Sequence, residues 1–339
     1  MPPAHKLAIT TTLAVALLGA APAAAQVAAP ALTMPEPAAP QQYQPLSFAA
    51  PSEGRAGRPL ELVVRRRAAA EEYAAELCTA PPASGWSCRG LTLVSGTARI
   101  APRVRVPAPG RWLFEVRNGE QRIRRSVRVR PRGGRLKVLA TGDSMIQIVD
   151  GFLRDGLGRA ASLRSDAQIS TGISKPEMLD WIAKSRSQAR RIRPDVTVVY
   201  LGANDGFSMA TPSGAIAPCC GDAWIEEYAR RAGRMMRAYA RGSAGRVYWL
   251  TLPAPRGGPF RKVYGPVNAA VRRAARRTAG ARVVPIDDVF TPGFRYRDTL
   301  MRDGRAVRVR QADGVHFNVT GASIVASEIL ARLRADRVL

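Results

Sequence analysis

The segment Val196-Thr197-Val198-Val199-Tyr200-Leu201-Gly202 constrains this chain more than any other. It is a short apolar run rich in β-branched residues, with no regular polar alternation. Such a strand is buried on both faces, as in a parallel sheet covered by helices. The surrounding sequence repeats the pattern. Further strands are expected at 137–141, roughly 161–170, 246–252 and 282–286, and amphipathic helices near 146–157, 176–191, 222–241, 264–278 and 320–335. Strand–helix alternation implies right-handed βαβ crossovers and a sheet with helices on both sides. The fold class is therefore α/β, a three-layer sandwich around a parallel sheet. In such sheets function sits at the carboxyl ends of the strands.

The sequence before Pro131-Arg132-Gly133-Gly134 reads differently. Trp112, Phe114 and Val116 alternate with other residues, Asn118-Gly119 signals a hairpin turn, and Ile123, Val127 and Val129 alternate with arginines and Ser126. Runs at 60–64 and 91–100 are also strand-like. Residues 44–132 are thus expected to form a small β-sandwich-like domain ahead of an α/β domain at 133–339. The stretch 68–77 (AAAEEYAAEL) has helical composition and runs against the β reading. An exposed Trp86 or Trp112 would suit glycan binding; the alternative for this domain is a spacer.

Residues 1–25 have Lys6, an apolar run from Leu7 to Ala21, and Ala23-Ala24-Ala25 before Gln26. This is the pattern of a cleavable secretory signal, and the run is shorter than the ~20 residues of a spanning helix. No later stretch is long and apolar enough to span a membrane. Residues 26–43, rich in Ala, Pro and Gln, read as a linker. The mature protein is expected to be periplasmic or secreted, with no transmembrane segment after signal cleavage. An oxidising compartment makes Cys78 and Cys88, ten residues apart across a Pro/Gly/Ser turn, a plausible disulfide. The adjacent Cys219 and Cys220 are free, bonded to each other or paired elsewhere. Neither pair has the spacing of a zinc site, so no metal and no cofactor is expected.

Charge narrows the partners. The chain has 52 basic and 26 acidic residues and a formal net charge of +26. Only five of the basic residues are lysine, and the arginines are scattered rather than gathered in one tract. They read as solvated faces and as a field attracting anionic partners, such as envelope polymers. No nucleic-acid-binding motif accompanies them.

Three short motifs carry chemistry. Gly142-Asp143-Ser144 follows the first expected strand and opens a helix, where free backbone N–H groups favour a developing negative charge. Gly202-Ala203-Asn204-Asp205-Gly206 follows the third, and its Asn204 can offer an amide N–H to an oxyanion. Asp313-Gly314-Val315-His316 precedes the last helix. Its spacing lets the carboxylate bond one imidazole nitrogen and leaves the other for a serine hydroxyl. His316 is the only histidine after residue 25, so any Ser–His mechanism must use it. On the residues alone, Asp287 or Asp288 at the end of the last strand is a rival for the acid.

In this order and at these positions the motifs resemble those of the SGNH (GDSL-like) hydrolases, over about 136–335. Gly142-Asp143-Ser144 resembles the family's first block, Ser170-Thr171-Gly172 the second, Gly202-Ala203-Asn204-Asp205 the third and Asp313-Gly314-Val315-His316 the fifth. STGISKPEMLDW is similar to a secreted bacterial branch. Met145 departs from the residue many members carry after the nucleophile, which leaves the substrate class open. The resemblance implies an SGNH/flavodoxin-like sandwich in which Ser144 is the nucleophile, His316 the base and then acid, and Asp313 its orienting carboxylate. It implies an oxyanion hole of Ser144 N–H, Gly172 N–H and the Asn204 side chain, with Asp143 and Asp205 bracing loops.

The leading functional reading is an extracytoplasmic serine esterase acting on O-acyl esters, such as O-acetylated envelope glycans or another small ester. A glycan O-acyltransferase shares the triad and the acyl-enzyme. A non-catalytic envelope-binding protein on the same scaffold is the reading from a different class.

Overall fold

The computed structural model describes residues 46–66 and 72–339. The expected signal peptide at 1–25 and linker at 26–43 lie outside the described residues.

The described residues from Leu46 to Arg130 form strands and no helix. A three-stranded sheet (Leu46–Ala49, Val63–Arg66, Arg99–Ile100) accompanies a five-stranded one, ordered Glu53–Arg55, Gln121–Arg130, Gly110–Asn118, Tyr73–Ala80, Ser87–Leu93. Phe48, Leu62, Val64, Leu77, Phe114 and Val127 are in its buried core. One pairing, Arg128–Arg130 with Glu53–Arg55, is parallel rather than antiparallel. The hairpin turn falls on Gly119-Glu120, with Asn118 still in the ladder opposite Gln121. Of the stretch 68–77 with helical composition, 68–71 lie outside the described residues, and Tyr73–Leu77 lies in the strand Tyr73–Ala80. It pairs on both edges and buries Ala75 and Leu77, so tertiary pairing overrides propensity. Trp112 is 4% exposed and packs in the core, its indole N–H donating to Ala108 O, so it offers no binding surface; Trp86 is 37% exposed under Arg124. Cys78 and Cys88 face each other across two strands and are disulfide-bonded. Cys219 is bonded to Cys220.

The rest is a parallel five-stranded sheet flanked by helices. Its strands are β1 (Leu136–Gly142), β2 (Ala161–Ala167), β3 (Val196–Tyr200), β4 (Arg246–Leu250) and β5 (Ala281–Val284), in the order β2-β1-β3-β4-β5. This is the flavodoxin-like order, which reverses direction between β1 and β3 and opens a crevice there. Every residue of β3 and β4 is buried, as the apolar runs require. The main helices are α1 (Ser144–Gln147), α2 (Val149–Leu157), α3 (Trp181–Arg191), α4 (Asp222–Ala240), α5 (Tyr264–Arg276), α6 (Ile286–Phe290) and α7 (Val319–Ala335). Helices α3, α4 and α5 pack side by side, and α2 packs on α7.

Three boundaries differ from the sequence reading. The helix expected at 146–157 is split into α1 and α2. Strand β2 ends at Ala167, because Gln168 N turns back to Gly142 O and the Thr171 hydroxyl closes a turn onto Gln168 O. Helix α3 starts only at Trp181, where the Asp180 carboxylate caps Ile182 N and Ala183 N.

The β-region meets the amino ends of the parallel strands. Arg246, the first residue of β4, donates through Nε to Pro82 O at 2.8 Å, and Arg282 in β5 donates to Ala83 O. Past α7, Arg337 donates to Pro81 O at 3.0 Å and Ala83 N to Asp336 O at 3.1 Å.

Candidate active site

Strand β1 delivers its last residue, Gly142, at φ +153°, and a Cβ there would lie 1.8 Å from Tyr200 O of β3. Only glycine lets the two strands close at this point. Asp143 follows as the N-cap of α1, its carboxylate accepting from Met145 N, Gly202 N and Ala203 N, all at 2.9 Å. One buried side chain thus ties the end of β1 to the loop after β3. Burial pushes this carboxyl up to about 6, against the three N–H bonds, which favour its ionised form. Because Asp143 is the cap, the Ser144 hydroxyl is free for another partner.

That partner is His316, whose Nε2 lies 2.8 Å from Ser144 Oγ. On the other side of the ring, Nδ1 lies 2.6 Å from Asp313 Oδ2. Asp313 Oδ1 accepts the backbone N–H of Val315 at 2.8 Å and of His316 at 3.0 Å. The same carboxylate therefore shapes the turn and orients the imidazole. Burial raises its pKa, but the His316 ring and the two N–H groups outweigh this and hold Asp313 below the usual carboxylate range. The rivals stand elsewhere: Asp287 is clamped by both terminal nitrogens of Arg272 at 2.9 Å and by Thr251 and Asn268, and Asp288 faces Arg272.

Asn204 joins the same place. Its Nδ2 donates to Thr171 O at 3.2 Å, which fixes the amide and leaves its second N–H for a ligand. Asp205 is buried and accepts from Ser174 N, Ser174 Oγ and Tyr228 OH, pinning the loop after β2 to the loop after β3. Gly172 is buried, its Cα face against the Asp205 carboxylate, where a Cβ would lie 2.6 Å from Oδ1. Ser170, at φ +61°, lines the cleft.

Two lobes open from Ser144, Asn204 and His316. One, of about 530 Å³, is lined by Phe260, Pro259, Tyr264, Val315 and Arg256. The other, of about 550 Å³, is lined by Met145, Gln147, Ile169, Ser170, Gln311 and Phe317.

Sequence reasoning missed the support beneath the histidine. Arg310 is 2% exposed, donates to Val315 O at 2.6 Å and stacks over Phe317. Gln311 donates to Phe317 O, and Arg256 to Ala312 O. These residues lacked any local signal among so many arginines.

Topology and site together define an α/β sandwich with a Ser–His–Asp relay at its switch point. Residues 137–332 match the family described as "Protein of unknown function (DUF459)", and the chain belongs to that family. No curated protein matches it. Among solved structures it is similar to the C-terminal catalytic domain of Streptococcus pneumoniae peptidoglycan O-acetyltransferase A, carrying a methylsulfonyl adduct. The identity is 16%, over 60% of this chain and 94% of that one, with a TM-score of 0.40. It is also similar to the sulfur carrier protein SoxY from Chlorobium limicola, at 18% identity over 25% of this chain and 77% of that one, with a TM-score of 0.18.

Proposed function

We propose that this protein is an extracytoplasmic serine esterase of the SGNH type, acting on O-acyl esters of cell-envelope glycans. The observation that carries the reading is the relay itself, Ser144 Oγ to His316 Nε2 at 2.8 Å and His316 Nδ1 to Asp313 Oδ2 at 2.6 Å. Asp313 accepts Nδ1–H, so the Nε2 lone pair faces the serine hydroxyl. His316 takes the Ser144 proton as Oγ attacks the ester carbonyl. The Ser144 N–H and the spare Asn204 N–H stabilise the oxyanion, and Gly172 N–H is the third donor that the family resemblance implies. The imidazolium then protonates the departing alkoxide, leaving an acyl-serine. Water, activated by the same imidazole, releases the acid and restores the serine. Export is supported by the leader-like residues 1–25 and by the Cys78–Cys88 disulfide.

The two-lobed cleft favours a second reading with the same residues. An ester has an acyl half and an alcohol half, and the alcohol lobe that releases a sugar also admits one as acceptor. Such an acyltransferase differs only in which hydroxyl attacks the acyl-enzyme.

The test is turnover of p-nitrophenyl acetate by the exported protein and by Ser144→Ala and His316→Ala. Both variants are expected to lose several orders of magnitude in kcat/KM with unchanged melting temperature. Near-wild-type turnover by His316→Ala sinks the Ser–His–Asp mechanism, and absence of turnover in the wild-type protein favours a binding protein. Acetate release from an acetylated glycan without an acceptor sugar supports the esterase; dependence on the acceptor supports the transferase.

A further inference from the structure

At the end of the sheet opposite Ser144, a cavity of about 290 Å³ lies where the β-region meets the parallel strands. Four cationic side chains line it, each from a different segment: Arg132 from the connection between the regions, Lys137 from β1, Arg193 from the loop before β3, and Arg241 from the end of α4. The only acid lining it is Asp195, whose Oδ2 accepts the Lys137 backbone N–H at 2.9 Å. The lining therefore has a formal charge of +3. Among the described residues none of the four cations forms an ion pair.

Two of the three guanidinium groups are held before any ligand arrives. Arg132 Nε donates to Ala56 O of the β-region at 3.1 Å. Arg241 donates through Nη2 to Pro194 O and Ala244 O, and its buried Nε has no partner. Burial, and then repulsion from Arg193 and Arg132, lower the Arg241 pKa in spite of Asp195. Like charges gathered around one cavity repel unless an anion joins them, and fixed donors bind with little further ordering cost.

We propose that this cavity is a binding site for a phosphate or sulfate group, bridging the β-region and the α/β region. Donors converging from four segments suit a tetrahedral dianion better than a planar carboxylate. The volume exceeds a bare ion and leaves room for the group that carries it. The site is independent of the esterase reading and lies at the other end of the strands.

The test measures binding of inorganic phosphate, sulfate and glycerol phosphate by calorimetry and thermal shift, against chloride at equal ionic strength. Lys137→Gln/Arg193→Gln removes two side chains that make no described hydrogen bond. Arg122→Gln/Arg128→Gln removes the same charge from the exposed face of the Gln121–Arg130 strand. The expected result is a Kd at least tenfold weaker in the cavity variant and within twofold of wild type in the control. Equal weakening in both variants, or phosphate and sulfate no better than chloride, overturns the proposal. Glycerol phosphate binding as tightly as inorganic phosphate assigns the site to an esterified group, and weaker binding assigns it to the free ion; either outcome upholds an oxyanion site.

Discussion

Two carboxylates flank the Ser144–His316 contact, and their surroundings push them in opposite directions. Asp143 is pushed up to about 6 from a usual value near 3.8. Between those values the unfolded chain loses this proton and the folded chain keeps it. Stability from Asp143 is therefore full below pH 3.8 and lost as pH rises through about 6. Measured against Asp143→Asn by urea unfolding, wild type is expected to lose about 2 kcal/mol between pH 4 and 7; a flat difference refutes this. Asp313 is shifted the other way and stays ionised to lower pH than a free carboxylate. Asp313→Asn is expected to cost up to about 10⁴ in rate, no more than His316→Ala, and Asn204→Ala on the order of 10²–10³. Tm should barely move in either variant.

At the scale of elements, β1 and its neighbours decide where the serine stands. Gly142→Ala would drive a methyl into Tyr200 O, so strands β1 and β3 must part. We expect a lower Tm together with a fall in kcat/KM, because Ser144 shifts with the strand end. The Cys78–Cys88 link closes a short loop between paired strands, and replacing both with serine is expected to cost about 2–3 kcal/mol in urea unfolding. The elements best legible in the sequence were those whose signal is local. The apolar runs of β3 and β4 announced a sheet buried on both faces, and Asp313-x-x-His316 announced its own turn. Where the outcome depended on distant partners, composition was no guide: Tyr73–Leu77, from a stretch of helical composition, lies in a strand that pairs on both edges. Trp112 looked available as a surface ring and is core, because it shares its strand face with buried Phe114 and Val116. The bond from Tyr228 to Asp205, and Arg310 under the histidine loop, join residues far apart or indistinct in the chain, and no local pattern marks them.

For the whole molecule, the sheet has a direction. Its carboxyl ends hold Ser144, Asn204 and the Asp313–His316 turn, and its amino ends hold the contacts to the β-region. We expect a fragment of residues 133–339 to fold, to melt below the full chain because Arg246 and Arg282 lose their carbonyl partners, and to keep its kcat/KM on small esters. A fragment that is folded but inactive would make the β-region part of the working site. Two separate hydrophobic clusters, one in each region, support the first outcome.

The sharing of one four-residue turn by Asp313 and His316 has a mechanical consequence. In the proposed mechanism acid and base ride on the same piece of chain, so a displacement of that piece carries both and leaves their mutual distance intact. The relay has a single joint that can open, between the imidazole and Ser144. A partner or ligand that tugs on the turn would act as a clutch, disengaging the serine while the charged half of the machinery stays assembled and ready to re-engage.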